Sequence, residues 1–218
     1  MPDHTDSPLL GDKFKEAFQL AADLHRSHVR KGTSVPYASH LMSVAALVLE
    51  DGGDEEEAIA GLLHDALEDC GDQISGDDIE KRFGPRVRSL VEACTDTPPD
   101  FEGNEKPPWK ERKRDYLERV AQGHGNRVSL ADKLHNARSI LRDHRADPDG
   151  IWDRFSAEKE DTLWYYRELV RAYRKAGTDG YLVNELDRVV RKLAGRDAEE
   201  SDGRKREWFR GFSLKLWR

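Results

Sequence analysis

Four residues that can bind protons or metal ions follow one another closely in GLLHDALEDC, residues 61–70. His64 and Asp65 are adjacent, and Glu68 and Asp69 lie one helical turn further along. On a single helix all four side chains could converge on one point. The intervening residues are leucine and alanine, so the helix should be packed, and buried carboxylates are costly unless they are paired or bind a cation. A solvated face stabilised by a His–Glu pair is the alternative.

Two polar residues elsewhere could complete a metal site with this segment. His40 opens an apolar helical stretch (LMSVAALVL), and Asp132 lies in VSLADKLHNARSI. Each has an ordinary alternative: His40 could bond to backbone at a helix N-terminus, and Asp132 could be exposed. Together with His64 and Asp65 they supply two imidazoles and two carboxylates, which suit Mn²⁺, Fe²⁺, Co²⁺ or Zn²⁺. Asn136, one turn after Asp132, could face the same cavity.

Helical periodicity accounts for the segments that must position these residues. A loop with Gly32 and Pro36 separates the first two helices, and a long loop rich in Pro, Gly and charge follows residue 96. No stretch alternates with period two, so the sequence predicts an all-α fold, a compact bundle of eight or more helices. The expected helices cover about 12–27, 40–51, 54–70, a pair around Gly84-Pro85 that ends near Thr95, 109–122, 128–144, 155–177 and 181–195.

Composition limits the kinds of partner. The chain has 218 residues with a formal net charge of −7, so neither nucleic acid nor an anionic membrane is expected as a partner. Any anionic ligand must be held by a local basic cluster. Two cysteines, no signal-peptide pattern and no apolar run long enough to cross a bilayer predict a cytoplasmic protein without integral membrane association. A homodimer is compatible with the sequence, which does not fix the oligomeric state.

The ordered residues His40, His64-Asp65 and Asp132 resemble the H…HD…D signature of the HD-domain phosphohydrolases. RKGTSVPYASHLMSVAALV, GLLHDALED, RFGPRVRSLVEACTD and SLADKLHNARSI are similar to the hydrolase domain of RelA/SpoT alarmone enzymes and to their small, single-domain Mesh1-like relatives. The resemblance covers roughly residues 13–145. It implies one HD-type domain over 1–198, with late helices at 152–195, and a basic, aromatic tail over 199–218.

The resemblance also implies roles for individual residues. His40, His64, Asp65 and Asp132 would hold one divalent cation, most often Mn²⁺, which can activate water and polarise a phosphoryl oxygen. Glu68 and Asp69 match an acidic pair that positions the attacking water and shuttles protons, although either could instead support a ligand. The expected substrate contacts are Arg30 and Lys31 for base or phosphate, Asn136 for ribose, and Lys133, Lys110 and Arg114 for phosphate. Exposed charge is the alternative for Lys110 and Arg114.

One local departure from the family lies before Arg30: relatives often carry Gln there, and this sequence has His28 in HRSHVRK. The aromatic residues of the late helices are interpreted as core. They are Trp164, Tyr165, Tyr166 and Tyr181.

The implied activity is removal of the 3′-pyrophosphate of (p)ppGpp, with degradation only, since no synthetase domain follows. Another nucleotide remains open as substrate, either the 2′-phosphate of NADPH or a nucleoside mono- or diphosphate. A non-catalytic nucleotide sensor that signals through the 97–110 loop or the basic tail is the competing class. The intact Glu68-Asp69 pair argues against that class, because a degenerate binder would not need both groups.

Overall fold

The computed structural model describes residues 9–95, 107–124 and 127–195, and these form ten α-helices. Within these ranges there is no β-strand, only an isolated antiparallel bridge between Val29 and Pro36, so the all-α prediction is confirmed. The tail 199–218 and most of the 97–110 loop lie outside the described residues. The helices are α1 Asp12–Leu24, α2 Ala38–Glu50, α3 Glu55–Leu63, α4 Ala66–Asp69, α5 Gly76–Phe83, α6 Pro85–Glu92, α7 Trp109–Arg119, α8 Arg127–Ala146, α9 Lys159–Lys175 and α10 Tyr181–Leu193.

Two short elements complete this list: a π-helical turn at Val120–His124 and a 3₁₀ turn at Gly150–Arg154. In the part of the chain that the structure describes, no helix combines the length and the apolar character needed to cross a bilayer.

The central layer consists of α2, α3 and α8, which pack against one another. Gly61 on α3 faces Ala45 on α2, and a Cβ added there would lie 3.1 Å from the Ala45 Cα. Because glycine has no side chain, the two helices can approach this closely. The close approach brings His40 at the start of α2 within reach of His64 just beyond α3.

A partly buried ion-pair cluster fixes the start of α8 against the same two helices. Arg127 donates from Nε to Asp51 Oδ2 at 3.0 Å and from Nη1 to Glu57 Oε2 at 2.6 Å. Glu57 is 9% exposed, and its carboxylate also accepts from the backbone N–H of Asp54 in a capping box. Since Asp132 lies on α8 about one and a half turns after Arg127, this anchor also positions Asp132.

The segment predicted as one helix over 54–70 is two helices, and the break falls between His64 and Asp65. Helix α3 ends at Leu63, and α4 begins at Ala66. Asp65 has φ −99° and ψ 0°, the bridge region of backbone conformation that is common at functional sites. The break separates the four side chains: His64 is buried and Asp65 is largely buried, whereas Glu68 and Asp69 are exposed. The four groups therefore do not share one arc of a continuous helix.

Candidate metal centre and active site

Four side chains from three elements meet at the junction of α2, α3 and α8. His64 Nε2 lies 3.2 Å from His40 Nε2 and 2.9 Å from Asp65 Oδ2. His40 Nε2 lies 3.2 Å from Asp132 Oδ1, and the remaining histidine–carboxylate separations are both 3.6 Å. Ligand atoms about 2.1 Å from a shared ion lie about 3.0–3.4 Å apart. The spacing of these donors therefore fits one bound cation.

Both histidines can offer an unprotonated Nε2 to an ion, because a hydrogen-bond partner occupies each Nδ1. His64 Nδ1 donates to the Gly61 carbonyl oxygen at 2.9 Å. His40 Nδ1 lies 2.7 Å from His135 Nδ1. Burial, followed by the charges of His40 and Arg30, lowers the pKa of His135 to about 3, so His135 is neutral and can accept this proton. Such partners set the tautomer and the ring orientation of metal-ligating histidines.

The charge of the cluster also fits a cation. Burial alone would lower the pKa of His64, but the carboxylates of Asp65 and Asp132 outweigh it and raise that pKa to about 10. Burial opposes ionisation of Asp65 as well, yet the neighbouring histidines hold its pKa well below the usual range. Two buried carboxylates therefore stay ionised and attract positive charge. The proton on His64 stands where a divalent ion would supply that charge.

Lys133 and Asn136, both predicted to contact the substrate, hydrogen bond to Asp132 in the structure. Lys133 Nζ donates to Asp132 Oδ2 at 2.6 Å and Asn136 Nδ2 donates to Asp132 Oδ1 at 2.5 Å. The Lys133 side chain is 14% exposed and lies over the Tyr116 ring, so its charge is directed at Asp132 and not at an open phosphate site. Asn136 Oδ1 also accepts from Arg30 Nη2 at 2.6 Å, so this amide links the cluster to Arg30.

Two further residues at the centre, Tyr37 and His135, were missed by sequence reasoning. The Tyr37 hydroxyl donates to Asp65 Oδ2 at 2.6 Å, and burial together with the Asp65 carboxylate raises the pKa of Tyr37, so it stays protonated. Tyr37 precedes α2 by one residue, in a segment interpreted only as a loop. His135 lies three residues after Asp132 in the same helix, and this short distance in the sequence is the only signal that could have selected it.

Glu68 and Asp69 lie beside the centre on α4 with exposed side chains. The Asp69 backbone N–H donates to the Asp65 carbonyl oxygen at 2.9 Å, which ties this short helix to the ligand residue. Partial burial and the negative charges of Asp65 and Glu68 raise the pKa of the Asp69 carboxyl. A carboxyl group with a raised pKa can exchange protons nearer to neutral pH than an ordinary aspartate.

A cavity of about 340 Å³ opens next to the metal centre. Tyr37 and Asn136 line it, and the same two residues hydrogen bond to Asp65 and Asp132. Its volume falls in the range of small-molecule sites. Arg30 and Lys31 line it, and so do residues that the sequence does not single out. These are Thr33, Ser139, Ile140, Arg142, Asp143, Ile151, Arg154, Phe155 and Tyr166.

The cavity wall is cationic in a chain that is acidic overall. Its lining includes the cationic side chains of Arg30, Lys31, Arg142 and Arg154 and the carboxylate of Asp143. Arg142 Nε and Arg154 Nη1 both pair with Asp143, at 2.8 and 3.2 Å. The wall also includes the ring of Tyr166, which was interpreted as core and is indeed buried. Guanidinium groups and aromatic rings together suit a phosphorylated planar ligand.

The structure places Lys110 and Arg114 away from this cavity. Lys110 Nζ pairs with Asp161 Oδ1 at 2.5 Å and lies over the Trp164 ring, at the contact between α7 and α9. Arg114 lines a separate open groove with Trp164 and Glu168. Among the described residues, neither belongs to the lining of the cavity beside the metal centre. Lys110 and Arg114 therefore face another surface, because α7 turns these two charges toward α9.

Comparison with known proteins agrees with the geometry of this centre. A model of the HD domain matches residues 17–162, a span that contains all four clustered donors. The chain belongs to the HD-domain family. A relative from Drosophila melanogaster, "Guanosine-3′,5′-bis(diphosphate) 3′-pyrophosphohydrolase MESH1", is 34% identical over 185 residues, which are 83% of this HD protein and 94% of the relative. The Homo sapiens protein of the same name is 35% identical over 140 residues, 62% of this chain and 72% of that one.

A solved structure supports the same assignment of the fold. It is described as "A metazoan ortholog of SpoT hydrolyzes ppGpp and plays a role in starvation responses", and it superimposes on this HD protein with a TM-score of 0.66 at 33% identity. The alignment covers 86% of this chain and 98% of the neighbour. The expected resemblance to RelA/SpoT-type and Mesh1-like hydrolases is thereby confirmed.

Proposed function

We propose that this protein is a metal-dependent hydrolase that removes the 3′-pyrophosphate of ppGpp or pppGpp. The observation that carries the proposal is the shared wall between the donor cluster and the cationic cavity. Tyr37 and Asn136 hydrogen bond to the carboxylates of Asp65 and Asp132 and also line the cavity. A nucleotide held in the cavity would therefore present a phosphate at the cluster. The names of the relatives supply the guanosine substrate.

The cavity residues would hold the nucleotide through charge and stacking. Arg30 is oriented by its hydrogen bond to Asn136 and lies 5.5 Å from the centre of the Tyr37 ring, so its guanidinium plane is held before a ligand arrives. Lys31 is exposed at the cavity mouth. Arg30, Arg142 and Arg154 can form paired hydrogen bonds with phosphate oxygens, which lysine cannot.

In the reaction, water adds to the phosphorus that is bonded to the 3′-oxygen. The bond between these two atoms breaks, pyrophosphate leaves, and the 3′-oxygen takes up a proton. Glu68 and Asp69 would orient the water, take its proton and return a proton to the leaving oxygen. The raised pKa of Asp69 suits such an exchange.

His40, His64, Asp65 and Asp132 would hold one divalent ion, with Mn²⁺ as the first choice and Fe²⁺, Co²⁺ or Zn²⁺ as alternatives. When bound, the ion supplies Lewis-acid activation of water and of the phosphoryl group. Lys133 fixes Asp132 through the oxygen that faces away from the histidines. Cytoplasmic location, the homodimer and the absence of nucleic acid as a partner stay predictions from the sequence.

A substrate panel tests the proposal. The purified protein with Mn²⁺ is incubated separately with ppGpp, pppGpp, NADPH and deoxynucleoside triphosphates, and released pyrophosphate and orthophosphate are both measured. The expected result is pyrophosphate from ppGpp and pppGpp in equal amounts with GDP and GTP. Orthophosphate from NADPH alone would assign a different substrate to the same centre. Binding of ppGpp without turnover would favour the sensor.

A further inference from the structure

Three side chains of types that can bind metal ions, none with a part in the proposed hydrolysis, lie together beside Tyr37. His25 Nδ1 lies 3.1 Å from His28 Nδ1, and Cys70 Sγ lies 3.9 Å from His25 Nε2. One donor atom from each residue falls within 4.8 Å of the other two. We propose that His25, His28 and Cys70 form a second cation site, separate from the HD centre, which binds a thiophilic divalent ion of the Zn²⁺ class.

The ends of two helices, α1 and α4, bring the three residues together. His25 follows the last residue of α1, His28 lies one turn further, and Cys70 follows the last residue of α4. His25 and Cys70 are 2% and 0% exposed, whereas His28 is half-buried. Two donors are therefore held inside the protein, and the third connects the site with solvent. An ion can enter past His28.

The donor chemistry differs from that of the HD centre. Two imidazoles with one sulfur are softer ligands than two imidazoles with two carboxylates. Thiolate favours Zn²⁺ over Mn²⁺, and Zn²⁺ bound by one nitrogen and one sulfur at usual distances separates those atoms by about 3.6 Å. The 3.9 Å between Cys70 and His25 is close to this value. His28 contacts the other nitrogen of that ring, His25 Nδ1, so a change of the His28 rotamer would bring its imidazole to an ion bound at Nε2.

The ionisation of the cluster agrees with a site that exchanges a proton for a metal ion. Burial lowers the pKa of His25 to about 4, so its imidazole is neutral at pH 7 and available as a ligand. Burial, followed by the charges of Asp69 and Asp72, raises the pKa of the Cys70 thiol. The same negative charges favour a cation at this point. Binding would displace the thiol proton, as is usual for sulfur ligands.

The site lies close to the HD centre, so the two must be counted separately in any experiment. The His25 ring stacks on the Tyr37 ring at 5.0 Å, and Tyr37 donates to Asp65. Cys94 is a second buried cysteine, and it lies near Lys133 and not in this cluster. It therefore provides a matched control for thiol chemistry elsewhere in the chain.

Co²⁺ is the probe, because Co²⁺ bound to thiolate gives a charge-transfer absorption in the near ultraviolet that Co²⁺ bound to nitrogen and oxygen does not. The full-length protein is stripped of metal, given one equivalent of Mn²⁺ and titrated with Co²⁺. Because Co²⁺ can also replace Mn²⁺ at the HD centre, the thiolate band is counted and not the total cobalt. The band should saturate at one thiolate-bound Co²⁺ per chain and disappear when Zn²⁺ is added. Cys70→Ser should lose the band, and Cys94→Ser should keep it.

His28→Gln removes a ligand nitrogen at a half-buried position and so decides the question even if Cys70→Ser fails to fold. It should weaken Co²⁺ binding by more than about 100-fold, because loss of a residue that merely supports a ligand costs about 10–100-fold. Retention of one Mn²⁺ per chain shows that the variant is folded. The second site would be overturned if the wild-type protein gave no band. It would also be overturned if the band survived in Cys70→Ser or was lost in Cys94→Ser.

Discussion

The most informative single substitution is Lys133→Met, because sequence and structure assign different partners to this lysine. A contact with phosphate would make the substitution a defect in substrate binding. The ion pair with Asp132 makes it a defect in the stability of the metal-free protein. Nζ and Oδ2 are 2.6 Å apart, and the two side chains are 14% and 6% exposed, so solvent screens the pair only weakly. Met replaces the aliphatic part of lysine without the charge.

The magnitude follows from this burial. Removal of one partner from a buried ion pair costs about 3–5 kcal/mol, because the other charge stays buried without compensation. Asp132 keeps its hydrogen bond from Asn136, so we expect the lower end, about 3 kcal/mol, in the metal-free protein. For a chain of this size that corresponds to a melting temperature lower by about 6–12 °C. Added Mn²⁺ should recover much of the loss, because the ion supplies charge beside Asp132.

The assay combines thermal unfolding, with and without Mn²⁺, and steady-state kinetics on ppGpp. Lys31→Met is the matched control: Lys31 is an exposed cation at the cavity, so its loss should raise KM and leave the melting temperature nearly unchanged. A double-mutant cycle with Asp132→Asn isolates the pair. The reasoning is refuted if Lys133→Met raises KM at unchanged stability, or if its cost is the same in the Asp132→Asn background.

The remaining predictions concern the centre itself. Asp65→Ala should abolish Mn²⁺ binding measured by calorimetry, whereas normal metal content would remove Asp65 from the ligand set. Glu68→Gln should retain one Mn²⁺ per chain and reduce kcat by about 10²–10⁴-fold, the usual contribution of an acid or base; unimpaired turnover would exclude that role. Tyr37→Phe should keep the ring and lose the donor to Asp65, which lowers Mn²⁺ affinity by about 10–100-fold, and an unchanged dissociation constant would show that this hydrogen bond does not orient the ligand.

Residue types together with the family motif point to the donors, because imidazoles and carboxylates within apolar helices need a partner. His40, His64, Asp65 and Asp132 were chosen on that ground and on the family motif, and the structure brings their donor atoms to within 3.6 Å wherever the distances join a histidine. The all-α class followed from periodicity. These features depend on local chemistry, which the sequence carries directly.

The break at Asp65 could not be predicted, because helical periodicity continues through the following residues. Asp65 contacts its neighbour His64 and also Tyr37, which comes from the loop before α2 and so from another part of the fold. The contact between Lys133 and Asp132 is also hidden in the sequence: adjacent helix positions do not face each other, yet the long Lys133 side chain reaches back to Asp132.

The cationic wall was missed because its members are scattered. Arg154 lies on the short 3₁₀ turn, eleven residues after Asp143, and only the folded chain brings the two together with Arg30. In the sequence each reads as an ordinary surface charge. Lys110 and Arg114 lie close together in the sequence, yet the structure directs both toward α9. The cationic residues that are neighbours in the sequence are therefore not the ones that line the cavity.

The central claim is that one ion, held by two histidines and two aspartates, makes this chain a pyrophosphohydrolase. The most direct test is a titration of the metal-free protein with Mn²⁺ during hydrolysis of ppGpp, with GDP and pyrophosphate followed by phosphorus NMR. Turnover should start from zero, rise in proportion to the added ion and reach a plateau at one Mn²⁺ per chain, with both products in equal amounts. Hydrolysis without metal, or no pyrophosphate at a full equivalent of Mn²⁺, would contradict it.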